Sequence, residues 1–352
     1  MEKYLPSQTV LVIGTADKGD YLNAQFCYDE NFIEQQFGGS LSRHVKACLQ
    51  AGAPKVWAIR VPHEDDPNAL YFQMDDLYKS LVSFPADLIV PTNIYPETLL
   101  SYKNQFHQPL SFARQLGLFC HQSWQNGSYK LGLMGTNPSL AITEKSINNY
   151  HFRDDMLEKT TKGHNDVGRY VGVCSFPVQY KTDYEPVVMS PVASLAGAIA
   201  AQSTEKGLSN TLVTGIQQLK YDFHPSVYRR LSLHGFMTIV PSRHGNVLYK
   251  SCTGSSKVPY NNFTSMRALS NILGSIYSES DVFIGNVIDD VDVEHLEELI
   301  ESILLSHSMV STYSFSLTQY HDSLKLDLEL VIRGEVTSIQ IKLNIRNGVM
   351  IR

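Results

Sequence analysis

The sequence predicts a mixed α/β (α+β) protein, on three observations. Through the first two thirds, short apolar β-branched runs closed by Gly or Pro alternate with helical stretches, the pattern of buried strands covered by helices. The last third carries two long segments with apolar residues at helical spacing. The chain then closes on runs of strict period two, which mark strands with one wet face.

The elements follow in order. Val10-Leu-Val-Ile13 is a buried strand ending at Gly14. Ser40–Gln50 is a helix with Leu41, Val45, Ala47 and Cys48 on one side, stopped by Gly52. Lys55–Val61 is a strand halted by Pro62, and Asp87–Val90 is another, halted by Pro91. A helical pattern over Ser101–Leu118 contains Pro109, which argues for a break. Strands follow at Lys130–Met134 and Tyr170–Ser175, with a polar stretch and a short helix, Asp154–Thr160, between them. Ser194–Gln202 is a helix of small residues that another backbone can approach closely. Met237–Val240 is a strand before a turn at Ser242–Gly245. Thr264–Tyr277 sets Met266, Leu269, Ile272, Leu273 and Ile276 on one face, and Val291–Leu305 is a second amphipathic helix. Leu324, Leu326, Leu328 and Leu330 then alternate with charged residues, and Ile339, Ile341, Leu343 and Ile345 alternate with polar ones.

Composition narrows the function. The 352 residues are 43% hydrophobic and 18% charged, which fits about two domains and excludes wholesale disorder. The net charge of −6 and the lack of any Lys/Arg run argue against direct nucleic-acid binding. No stretch reaches the ~18 apolar residues of a membrane span, so no direct membrane insertion is expected. Met1–Leu5 lacks the marks of a signal peptide, so synthesis in the cytoplasm is expected. Five cysteines, none in a Cys-x-x-Cys pair, point to reduced thiols.

Tests for chemistry come out negative. Gly14-Thr-Ala-Asp-Lys-Gly19-Asp20-Tyr21 follows a strand, as a phosphate-binding loop does, but Asp20 and Tyr21 stand where that loop needs Lys and Ser/Thr. A carboxylate there repels phosphate. No G-x-G-x-x-G follows a strand, no His-Glu-x-x-His pair occurs, and no G-x-S-x-G elbow exists. The expectation is no catalytic residue, no cofactor and no metal: not an enzyme. His234 and His244 flank a strand without acidic or Cys companions, and Cys174 reads as a core residue. One surface stands out. Glu294, Glu297, Glu298 and Glu301 share a face of the Val291–Leu305 helix, opposite Val293, Leu296, Ile300 and Ile303. The stripe is either a solvated face or a docking face for a basic partner.

Several segments, in order, resemble the contractile-tail sheath family of phages, phage-tail-like bacteriocins and injection systems. They are Leu5-Pro6 through Gly14-Thr-Ala-Asp-Lys-Gly19, and Phe37-Gly-Gly-Ser40 through Gly52-Ala-Pro54. The most specific run is Ser190-Pro191 through Gly197, Glu205-Lys-Gly207-Leu-Ser-Asn210 and Gly215-Ile216. Leu233-x-Gly235 through Pro241, Arg243-His-Gly245, Ser265-Met-Arg267 and Phe283-Ile-Gly285 complete the series. The resemblance implies a Rossmann-like α/β sheath core over 62–225, joined by an N-terminal segment, 1–61, and a C-terminal domain, 226–352. It implies a structural role: stacked hexameric rings of identical subunits in a helical stack around a tail tube protein, with baseplate and tail terminator proteins at the ends. It places the chain in a virion tail or tail-like particle. It further implies that a terminal strand, 337–346, with Ile339, Ile341, Leu343 and Ile345 on its apolar face, is lent to a neighbour, and that the glutamate stripe meets the tube. Only five residues precede Pro6, short of the family's N-terminal arm, which leaves that half of the stitch open. A sheath-like assembly or capping factor, and a Rossmann-like enzyme, remain as alternative readings.

Overall fold

In the computed structural model the described residues are 9–98, 100, 111–139, 166–180, 186–283, 290–319 and 324–335. β1 (Thr9–Gly14) is an interior strand of the main sheet, and all six of its residues are buried. A strand covered on both faces must be apolar throughout rather than alternating. It pairs in parallel with β3 (Lys55–Arg60) on one side and β4 (Leu88–Pro91) on the other. Beyond β4 come β5 (Leu131–Gly135), β6 (Val171–Ser175) and β10 (Phe236–Ser242), all parallel. Antiparallel strands close both edges: β2 (Ala24–Cys27) beside β3, and β11 (Gly245–Leu248) beside β10. The eight strands run in the order β11-β10-β6-β5-β4-β1-β3-β2.

Helices cover both faces. A Cβ on Gly132 would meet Leu116 of α4 (Phe112–Gln125), whereas one on Gly135 would meet Ser190 and Val192 beside α5 (Val192–Ala201). Positions three apart on a strand point to opposite faces, so α4 and α5 lie on opposite sides. α2 (Gly39–Gln50) shares the face of α5. The two helices pack almost backbone to backbone: a Cβ on Gly197 would lie 2.1 Å from the Cys48 carbonyl oxygen. This is the close approach that the small-residue sequence predicts. α1 (Glu30–Gln36) and α3 (Pro67–Ser80) complete the first half, each with an Asp side chain at its N-cap, Asp29 and Asp66. A small antiparallel sheet of β7 (Val178–Tyr180), β8 (Val187–Met189) and β9 (Gln218–Leu219) lies beside the main one. α6 (Pro225–Leu233) leads into β10. All five cysteines are free and buried, as the lack of pairing motifs predicts, with Cys174 in β6 fully enclosed.

The main core runs from Val10 to Met266. α7 (Phe263–Ser280) is the bridge to a second core: its first turn, with Phe263 and Met266, belongs to the main core, and its later turns, with Ile272 and Ile276, belong to the second. The second core adds Leu296, Ile300 and Leu304 of α8 (Asp290–Ser306) and the antiparallel hairpin β12 (Val310–Gln319) with β13 (Leu324–Ile332).

The structure differs from the sequence reading at several elements. The helix expected to end at Leu118 runs on to Gln125. The turn at Ser242–Gly245 is the tip of a hairpin, since β10 extends to Ser242 and β11 begins at Gly245. β13 pairs with β12, for which no strand was expected. The Asp154–Thr160 helix, the first part of Ser101–Leu118 and the whole of 337–346, with Ile339, Ile341, Leu343 and Ile345, lie outside the described residues.

Candidate functional site

Two surfaces carry features that the fold alone does not require. The first is the hairpin. Along β13, Leu324, Leu326, Leu328, Leu330 and Ile332 are half-buried, while Lys325, Asp327, Glu329 and Val331 are exposed. β12 matches it in register: Tyr313 faces Leu330, Phe315 faces Leu328, and Leu317 faces Leu326. One side is thus a continuous apolar row, covered in part by α8. Two strands alone are marginally stable in water, and strands of 10 and 9 residues present long open edges. Among the described residues no further strand pairs with either edge.

The second is α8. Leu296, Ile300 and Leu304 are buried against the hairpin and α7, while Glu294, Glu297, Glu298 and Glu301 are exposed on the other side. The helical period separates the two sets as the sequence predicts. The Tyr313 hydroxyl donates to Glu301 Oε1 at 3.1 Å, so Glu301 also ties α8 to β12.

The carboxyl ends of the parallel strands are where a Rossmann-like enzyme holds its ligand. Here the Gly14–Gly19 loop folds back on α1 and α2: the Lys18 amide donates to the carbonyl of Phe37, the C-cap of α1, and the Leu41 amide of α2 donates to the Thr15 carbonyl, both at 3.0 Å. The Asp17 carboxylate lies against the first residues of α2, for a Cβ on Gly39 would sit 2.5 Å from Asp17 Oδ1. A helix N-terminus attracts anions through its unpaired amides and its dipole. The chain places its own carboxylate there. Among the described residues no group of three or more His, Cys, Asp or Glu side chains could hold a metal ion, and no helix is long and apolar enough to cross a membrane. His234 is the C-cap of α6 and His244 lies in the β10–β11 turn.

Two charged residues, passed over as sites in the sequence, converge on the loop after α5. Arg267, on the buried side of α7, donates to the carbonyls of Ser203, at 3.2 Å, and Gln202. Burial pushes its guanidinium down to about 10. Glu335, just beyond β13, accepts from the amide and hydroxyl of Ser209 at 3.3 and 2.5 Å and from the amide of Leu208. No face pattern singles out Arg267: its neighbours at helical spacing are Phe263, Thr264, Ser270 and Asn271, three of them polar. No periodicity marks Glu335.

No family model and no curated protein sequence matches the chain. Solved structures do. The contracted helical sheath of the anti-feeding prophage is 12% identical with a TM-score of 0.69, over 96% of this chain and 93% of that one. The contracted PVC sheath complex of an extracellular contractile injection system is 12% identical with a TM-score of 0.70, over 96% and 91%. The sheath tail protein of Listeria innocua is 11% identical with a TM-score of 0.59, over 92% and 94%. The likeness takes in both the parallel-sheet core and the C-terminal hairpin unit, and it leaves little of either partner unmatched. The chain has the fold of contractile sheath proteins.

Proposed function

We propose that the chain is a structural subunit of a contractile tail sheath, assembling as stacked hexameric rings around a tail tube and contracting to drive that tube through an envelope. The observation that carries the reading is the end-to-end match to sheath structures, 92–96% of this chain against 91–94% of theirs. A partial match would leave room for an enzyme built on a common α/β core. The particle is a virion tail or tail-like injection device, and the further partners are tube, baseplate and terminator proteins.

The chemistry of the hairpin supports the same role. Thr337–Arg346 has ten residues and alternates as β13 does, with Ile339, Ile341, Leu343 and Ile345 on one side. Added to an open edge, it would extend the apolar row and satisfy the edge amides and carbonyls. If the edge belongs to a neighbour, every subunit is stitched to the next by a head-to-tail contact, which builds rings or helices rather than closed dimers. Contraction then needs two packings of the same rigid bodies, with the stitches kept. The outward glutamates of α8 are the candidate contact with a basic tube surface.

Sedimentation of the purified chain, alone and with tube protein, tests the proposal. A sheath subunit sediments as very large particles above a threshold concentration. A chain that remains monomeric under all such conditions contradicts it.

A further inference from the structure

The chain carries its charge unevenly. From Lys220 to Lys257 there are six Lys and Arg residues against one acid, Asp222, in a chain whose net charge is −6. This stretch supplies α6, β10 and β11, so the excess sits at one outer edge of the eight-stranded sheet. Lys220, Arg229, Arg243 and Lys257 are exposed, and Arg243 and His244 form the hairpin tip. Among the described residues none of Arg229, Arg243 and Lys257 forms an ion pair. Asp222 is engaged by the Tyr228 hydroxyl, which donates to it at 3.0 Å. The same edge exposes Leu212, beside β11, and Leu233, at the end of α6.

β2 is the outer strand at the opposite edge, and among the described residues no further strand pairs with it. Tyr21, Leu22, Phe26 and Tyr28, on it or at its ends, are 41–63% exposed. The rings are held: Phe26 lies 5.3 Å from Trp57 and Tyr28 lies 4.6 Å from Phe32, centre to centre. Single exposed apolar residues are ordinary, whereas a cluster on an open strand marks a surface that meets a partner. The end of this edge at Leu22 is acidic. The Leu22 amide donates to the Arg60 carbonyl at 2.9 Å, and Glu64, Asp65 and Asp66, all exposed, follow a few residues on. Arg60 itself is engaged, its guanidinium lying 4.1 Å from the centre of the Tyr21 ring and donating to the Gly19 carbonyl at 2.5 Å.

Topology sets the two edges at matching height. β3 and β10 run parallel in one sheet, so the loop after β3 and the tip after β10 lie at the same end of the strands, at opposite edges. Two copies set edge to edge in the same sense therefore bring Glu64 and Asp65 of one against Arg243 and His244 of the next.

We propose that these edges are the two halves of one contact between copies: the aromatic β2 edge, with Glu64 and Asp65, docks on the basic edge that α6 and the β10–β11 hairpin form in the next copy. The rings supply apolar area and faces on which guanidinium groups stack, and the opposed charges fix the register. Each copy carries both halves, so the contact is head-to-tail and builds a ring or a helix rather than a closed dimer. The inference rests on the sheath reading for a multi-copy assembly, and it names which surfaces of the parallel-sheet core meet there.

Two measurements on full-length chains test it. The first is the concentration at which large particles form. Glu64→Arg with Asp65→Arg, and separately Arg229→Glu with Arg243→Glu, are each expected to raise it by about tenfold or more, because like charges then face each other. All four changes in one chain are expected to bring it back to within about threefold of wild type, with the urea midpoint unchanged throughout. The second is cross-linking. The native cysteines are all buried, so a short bis-maleimide is expected to join chains carrying Asp65→Cys to chains carrying Arg243→Cys, and neither variant to itself. Thresholds that ignore both reversals would overturn the contact, as would a fourfold variant no better than its parents, or a cysteine mixture that gives no more product than either chain alone. Particles without the cross-link sink the contact and leave the sheath reading standing. The cross-link without particles keeps the contact and sinks the sheath reading.

Discussion

Gly197 sets the distance between two helices. Any side chain there would be driven into the Cys48 carbonyl and within 2.9 Å of the Ala51 Cβ, so α2 and α5 must separate to admit one. Gly197→Ala is expected to cost about 1–3 kcal/mol, read as a lowered midpoint in urea with an unchanged slope. His44, one helix away, is fully enclosed on α2, its Nδ1–H donating to the Ser40 carbonyl at 2.9 Å. Burial pushes its imidazole down to about 4. The unfolded chain takes up a proton near pH 6.5 and the folded chain does not, so stability is lost as the pH falls from 6.5 towards 4, by about 3 kcal/mol. Glu97 acts in the opposite sense. Burial raises its carboxyl to about 7, so between about 4.5 and 7 the folded chain keeps a proton that the unfolded chain has released. Its contribution grows as the pH falls. The His44 effect is therefore isolated by difference: His44→Gln should gain up to about 3 kcal/mol relative to wild type between pH 7 and pH 4. A gap that stays constant across that range would show that His44 titrates normally.

At the scale of elements, α8 is the part that the proposed function sets against the tube. Replacing Glu294, Glu297, Glu298 and Glu301 together by Gln should weaken co-assembly with tube protein and flatten its dependence on salt, because exposed charges act through a screened field. Co-assembly unchanged at low and high salt would leave the stripe as a solvated face. Glu301 also accepts from Tyr313, so the three-fold variant that keeps Glu301 separates docking from any loosening of the hairpin. The elements legible in the sequence were those with one dominant period. β1, β3 and β5 are unbroken apolar runs, and α2, α7 and α8 carry clean amphipathic faces. In β12, Tyr313, Phe315 and Leu317 alternate with Ser314 and Ser316, but serine and threonine weaken the contrast that marks a strand. α3 begins at Pro67 and buries Met74, Leu77 and Tyr78, with Tyr71 packed on the same core, but the exposed Phe72 blurs the period. The short β2, β7, β8 and β9 have too few residues to show any period. The glutamate stripe was visible because a helix fixes its spacing. Glu335 was not, because its partners come from 71 to 127 positions away.

At the scale of the whole molecule, two cores share one helix, and under the proposed function a neighbour completes the second. α7 joins them covalently, Arg267 and Glu335 fasten that joint to the loop after α5, and the hairpin offers the open edge. Under that proposal the subunit would stay folded alone and gain its last sheet contacts on assembly. The most direct measurement is electron microscopy of the full chain beside a chain lacking Thr337–Arg352, at the same concentration. The account predicts rings or striated tubes with six-fold symmetry for the full chain, and uniform, folded, single particles for the shortened one. Uniform small particles from the full chain, or a shortened chain that unfolds or aggregates because the strand belonged to its own core, would contradict it.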